Sequence, residues 1–152
     1  MSARDRQGFT LAELMVVVFI VGIVAGLVIP NVRKALFRAD AAHIMGDVYT
    51  IRDAAHRALT ETGRFPGAGG VGTVPADMES ALPDGFEFQY KGVRYMWMSI
   101  TLPSNIKIWG SSDLGLLWVM YPGMTELAEA MESHAGAEAL WSPTQMIFIM
   151  PG

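Results

Sequence analysis

A long apolar run with one carboxylate near its start constrains this chain more than any other feature. In "FTLAELMVVVFIVGIVAGLVIP", Phe9 to Pro30, the stretch from Leu14 to Ile29 carries no charge. With Phe9 to Ala12 the span reaches about 20 residues, enough to cross roughly 30 Å of hydrocarbon at ~1.5 Å per residue. A soluble helix of that length normally shows a polar face, so the run predicts a membrane-spanning helix over 9–30 rather than a buried core helix. Glu13 lies inside it. An ionised carboxylate costs roughly 2.5 to 3.5 kcal/mol at the middle of a spanning helix and less near an interface, so Glu13 needs a partner.

The residues ahead of the run, "MSARDRQG" from Met1 to Gly8, are polar, contain Arg4 and Arg6, and stop abruptly at the apolar junction. They read as a cleaved leader. An ordinary secretory signal has an apolar region of about 7 to 15 residues with a small-residue cleavage site after it. Here the run is longer and the small residue, Gly8, comes before it. Basic residues alone would place the other side of the span in the cytoplasm, because Arg33, Lys34 and Arg38 follow it. That count conflicts with the orientation adopted below, and the chemistry of the junction is given the greater weight.

Beyond Pro30 the pattern changes without a loop signal. Phe37, Ala41, Ile44, Val48, Ile51, Ala55 and Ala58 recur at alternating steps of four and three, which puts them on one stripe of an amphipathic helix over 31–62, with Gly63 as its C-cap. Asp53 and Arg57 form an i,i+4 pair on another face. Continuous helix from Phe9 to Thr62 would be roughly 80 Å long, and Pro30, lacking its N–H, marks a weak point within it. The stripe predicts a partner layer.

That layer is read in 63–152. "GRFPGAGGVGTVP" is a Gly-rich loop ordered by Phe65 and flexible at Gly69 and Gly70, and it is no phosphate cradle because no Lys-Ser or Lys-Thr helix start follows. Asp77 to Leu82 suggests a helical turn. In "FEFQYKGVRYMWMSI" Phe86, Phe88 and Tyr90 alternate with polar residues, Lys91-Gly92 makes a tight turn, and Val93, Tyr95 and Trp97 run back as a hairpin. "NIKIW" and "LGLLWVM" suggest a second hairpin across Gly110 to Asp113. Leu127, Ala130, Met131 and His134 mark a helix over Thr125 to His134 closed by Gly136, and "QMIFIM" is a last strand. The fold class is α+β: a long N-terminal helix packed on a small, mainly antiparallel sheet.

Composition narrows the function classes. An apolar fraction of 51% supports a real core. The formal net charge of -4, with an acidic C-terminal part, opposes nucleic-acid binding, which relies on phosphate neutralisation by Lys and Arg. There is no Cys, so neither disulfides nor thiolate metal sites are available. His43, His56 and His134 lack ligand spacing, and Ser111, Ser112 and Asp113 offer one carboxylate where a calcium site wants six to eight oxygens. No cofactor and no metal are expected. Trp97, Trp109, Trp118 and Trp141 read as core, with a binding platform as the alternative, and Ser133-His134 shows no base with an orienting partner. The chain is expected not to be an enzyme.

The "QG" and "FTLAEL" of the junction, the apolar span and Pro30 together resemble the leader and N-terminus of type IV pilins and type II secretion pseudopilins. The motif covers about the first thirty residues; the helix, "ETGRFP" and the strands fit the family's lollipop shape more loosely. The resemblance implies cleavage between Gly8 and Phe9 by a prepilin peptidase at the bacterial inner membrane and methylation of the new Phe9 amine. It implies a single-pass subunit with its head in the periplasm, moved by an inner-membrane assembly platform from membrane lipid into a helical filament of other pilin-like subunits. Glu13 would then meet the Phe9 ammonium of a neighbour and set register, since a misplaced neighbour leaves a charge unpaired at a cost of several kcal/mol. Thr10-x-x-Glu13 is also a capping-box spacing, and both roles stay open. Gly22 and Gly26 have GxxxG spacing, read equally as a helix contact or as ordinary membrane-helix glycine. Pro30 reads as a boundary kink, or, on the family's behaviour, as a place where the helix melts during assembly.

Ala12 is smaller than the aliphatic often found before that glutamate, and the missing Cys pair disfavours a major adhesive pilin. A secretion pseudopilin is therefore expected, with a minor pilin of a type IV pilus (motility, adhesion or DNA uptake) or a membrane-anchored binding module as alternatives.

Overall fold

The computed structural model describes residues 9–108, 110–135 and 139–152. Gly8 and the rest of the leader, Trp109 and Gly136 lie outside the described residues. The elements run α1 (Leu11–Thr62), a 3-10 turn (Glu79–Ala81), β1 (Gln89–Tyr90), β2 (Val93–Thr101), β3 (Asp113–Met120), α2 (Thr125–Glu132), β4 (Ala139–Ser142) and β5 (Gln145–Pro151). The chain divides after Leu36 into two compact units. This is the α+β helix-and-sheet class read from the sequence.

The first unit is helix with an apolar surface. Met15, Val18, Phe19, Val21 and Leu27 are all exposed, and the helix is long and apolar enough to cross a membrane. An all-round apolar surface is what lipid tolerates and water does not.

The second unit packs the later turns of α1 against a five-stranded antiparallel sheet of order β1-β2-β3-β5-β4. The stripe is the buried face: Ala41, Ile44, Val48, Ile51, Ala55 and Ala58 are buried and Phe37 is partly so, with Met45 and Ala54 widening it. From the sheet it meets Val93, Tyr95 and Trp97 of β2, Leu117 and Val119 of β3, and Met146, Phe148 and Met150 of β5. Each set is every second residue, as the pleat requires. Gly63 ends α1 in the left-handed region, φ +76, its amide donating to the Leu59 carbonyl at 2.8 Å.

Lys91 and Gly92 both take positive φ, 46 and 86, which is the type I′ geometry of a two-residue hairpin. The strand before that turn is shorter than its alternation suggests. β1 keeps two residues, Gln89↔Arg94 and Tyr90↔Val93, while Phe86 and Phe88 turn into the apolar cluster. The Phe88 carbonyl still accepts from the Tyr95 amide at 3.0 Å, and the Gly-rich loop continues along that edge of β2: the Gly72 amide donates to the Tyr95 carbonyl at 2.7 Å and the Gly69 amide to the Trp97 carbonyl at 2.9 Å. Gly69, read from the sequence as a flexible position, is thus held against the sheet.

The second expected hairpin is replaced by a different one. "NIKIW" forms no strand among its described residues, apart from one bridge between Ile108 and Ser111. β3 pairs with β2, from Arg94↔Met120 to Thr101↔Asp113. Residues 105–108 are exposed, and their alternation of polar and apolar residues has no buried surface to face. α2 stops at Glu132 and buries Leu127, Ala128 and Met131. Ala130 is only partly buried and His134 is exposed, so the expected stripe is turned toward Ala128. β5 matches "QMIFIM", and β4, not anticipated, pairs with it from Ala139↔Phe148 to Ser142↔Gln145.

Candidate functional site in the N-terminal helix

Thr10 and Glu13 close the start of α1 on each other. The Thr10 amide donates to Glu13 Oε2 at 2.9 Å, and the Glu13 amide donates to Thr10 Oγ1 at 3.3 Å. The Thr10 hydroxyl also reaches Oε2, at 3.1 Å. This is the reciprocal capping box that the spacing allowed, and it sets the carboxylate near the partial positive charge of the helix start. All three bonds leave Oε1 without a hydrogen bond among the described residues, and the pair is exposed. Local capping and a further cationic partner are geometrically compatible.

Phe9 precedes the cap with 79% of its surface exposed. At Gly22 and Gly26 an added Cβ would meet nothing within 4 Å, so the flat patch they make has no neighbour within the described chain. Pro30 continues the helix, and its missing N–H removes the usual donor to the Gly26 carbonyl. One residue later Asn31 Nδ2 donates to the Leu27 carbonyl at 3.2 Å. The sequence reading did not single out Asn31, although a polar amide at the end of an apolar run was the available signal. Phe9, Glu13, Gly22 and Gly26 are therefore exposed along the start and first turns of α1, with Glu13 and Gly22 on opposite sides of the helix.

In the second unit, polar contacts tie α1 to the first hairpin. Lys91 Nζ lies 2.8 Å from Asp40 Oδ1, and the Tyr90 hydroxyl donates to the same oxygen at 3.1 Å. The hydrogen bond from Lys91 holds the Asp40 carboxyl below its usual value, and Asp40 raises Lys91 in return. The Tyr95 hydroxyl donates to Asp47 Oδ2 at 2.7 Å. Burial first, and then Asp47, push the Tyr95 hydroxyl far above the usual tyrosine range. Burial also pushes Tyr121 up, to about 12. His43 stacks on Tyr90 with ring centroids 4.0 Å apart.

The remaining candidates do not converge. Trp97 is buried, its Nε1 donating to the Pro66 carbonyl at 3.0 Å. Trp118 pairs with Met96 in register and so lies on the opposite sheet face from Trp97, while Trp141 is exposed on β4. Ser111 Oγ folds onto the backbone of Asp113 at 2.9 and 3.1 Å, and no cluster of three or more metal-ligating side chains occurs among the described residues. Ser133 Oγ lies 3.0 Å from His134 Nδ1, closer than neighbouring helix positions suggest, because both groups bond the Ala130 carbonyl at the end of α2. That is a helix-end contact, with no third group orienting a base among the described residues.

Comparison with known proteins bears on the same segment. Residues 3–29 match the family model of the prokaryotic N-terminal methylation motif. The chain is 35% identical over 66 residues to the type II secretion system core protein G of Klebsiella michiganensis, covering 43% of this chain and 46% of that protein. It is 45% identical over 51 residues to the core protein G of Pseudomonas aeruginosa, 34% of this chain and 36% of that one. A fimbrial protein of Pseudomonas aeruginosa is 38% identical over 58 residues, 38% of each chain. The chain thus spans less than half the length of the curated relatives it matches. No solved structure gives a significant match. Residues 3–29 thus carry the prokaryotic N-terminal methylation motif, and the similarity to type II secretion core protein G and to the fimbrial protein is confined to less than half of this chain.

Proposed function

We propose that this chain is a non-enzymatic structural subunit of a pilus-like filament, a pseudopilin of a type II secretion system. A prepilin peptidase cuts between Gly8 and Phe9 and methylates the new Phe9 amine. The subunit waits in the bacterial inner membrane, its head in the periplasm, until an assembly platform moves it from lipid into the filament.

One observation carries the reading. The first turns of α1 present apolar side chains on every face and a carboxylate with a spare oxygen, while the head completes its own core without them. A surface of that kind is stable in lipid or against copies of itself. Placing the Phe9 ammonium of an incoming subunit beside Glu13 satisfies two charges that lipid disfavours, and a shifted neighbour leaves one of them unpaired. Gly22 and Gly26 allow helices to approach closely, as small residues do in membrane interfaces.

The test has two parts. Mass and N-terminal residue of the chain from native membranes should show a chain starting at methylated Phe9; retention of 1–8 would remove the ammonium on which the pairing depends. Glu13→Ala should insert in the membrane normally yet fail to crosslink into filaments, and normal incorporation would refute the register role. The fimbrial relative favours a second reading, a minor pilin of a type IV pilus. Deleting the chain would then abolish twitching and spare protein secretion, the reverse of the pseudopilin outcome.

A further inference from the structure

The outer edge of β2 is covered over most of its length and open at its end. Its odd-numbered residues turn their backbone groups away from β3: the Tyr95 amide donates to the Phe88 carbonyl at 3.0 Å, and the carbonyls of Tyr95 and Trp97 accept from Gly72 and Gly69. Even-numbered positions face β3, as the Leu102 amide shows by donating to the Ser112 carbonyl at 2.7 Å. The alternation of an antiparallel ladder then directs the N–H and C=O of Ser99 and the N–H of Thr101 to the outer edge. No backbone hydrogen bond reaches them there among the described residues.

A cleft of about 380 Å³ lies beside those groups, a volume within the range of ordinary ligand sites, roughly 300 to 1,000 Å³. Phe65 and Leu114 give it apolar walls, and Arg64, Asp77 and Asp113 give it both signs of charge. Asp77 is tied back, accepting from the Gly67 amide at 3.3 Å. Arg64 is exposed and in no ion pair among the described residues.

We infer that this edge takes an extended peptide segment of another protein, added as a strand against Ser99 and Thr101. Strand addition draws its affinity from main-chain bonds and its selectivity from the flanking side chains. The selectivity here is for a segment with an acidic and a basic side chain two residues apart, on one face of the added strand. The acid pairs with Arg64 and the base with Asp113. Covering an open edge also removes the hazard that unpaired strand groups present. The inference is independent of the filament reading, since it concerns the head alone.

The test is titration of the full chain in detergent micelles, ¹⁵N-labelled, with the capped peptide acetyl-Thr-Glu-Val-Lys-Thr-amide. The amide signals of Ser99 and Thr101 should shift and saturate. A peptide with Gln in place of both charged residues should bind at least tenfold more weakly, and so should the Arg64→Glu variant, which changes an exposed side chain and leaves the core intact. Thr101→Pro, which removes an edge amide where proline is tolerated, should weaken binding similarly. Absence of shifts at Ser99 and Thr101, or undiminished binding by both variants, would overturn the inference.

Discussion

At the scale of single residues, Gly115 and Trp97 show how tightly the sheet and its core are matched. The indole of Trp97 lies across Gly115, so an added Cβ would overlap Cη2 and stand 2.8 Å from Cζ2. Gly115→Ala should therefore cost about 1 to 3 kcal/mol, as overpacking does, read as a lowered midpoint in denaturant titration of the head. The polar ties of α1 predict the pH response. Asp40 has a folded value below its reference of 3.8, so its contribution is present above that pH and is lost as pH falls through the lower folded value. Tyr95 is raised above its reference of 10.0, so its contribution is present below pH 10 and is lost as pH rises. Thermal melts should show a loss of stability on the acid side that Asp40→Asn reduces, and a loss on the alkaline side that Tyr95→Phe reduces.

At the scale of elements, α1 is one helix in two environments. Its start relies on the Thr10–Glu13 box, and its end on Gly63 in a conformation that residues with a Cβ adopt at a cost. Gly63→Ala should destabilise the head by roughly 1 kcal/mol, with the near-ultraviolet dichroism of the folded form retained. The stripe from Phe37 to Ala58 was legible because a 3.6-residue period survives any arrangement that buries one helix face. The strands were less legible. β1 is short because the Gly-rich loop competes for the edge of β2, and that competition depends on contacts between residues distant in sequence. "NIKIW" has the alternation of a strand, yet β3 had β2 available with a longer register, and local pattern does not rank such pairings.

At the scale of the molecule, the two units make separate demands on solvent. The unit from Phe37 onward closes its own core, so a fragment of 37–152 should be soluble, monomeric and cooperatively folded without detergent, as size-exclusion chromatography and thermal melting would show. The full chain should need detergent or lipid, because the apolar surface before Leu36 has no cover of its own. A fragment that failed to fold would mean that the earlier turns supply something the core requires.

The sequence by itself determined the membrane-competent helix, the capping pair and the buried stripe. Each depends on residues within a few positions of one another, where spacing and hydration leave little choice. Only the tertiary structure decided which strands pair, that Trp97 is core while Trp118 faces the other way, and that Ser99 and Thr101 stand open beside Arg64. Those outcomes rest on many weak long-range contacts competing for the same backbone groups, and a linear pattern carries no measure of which competitor wins.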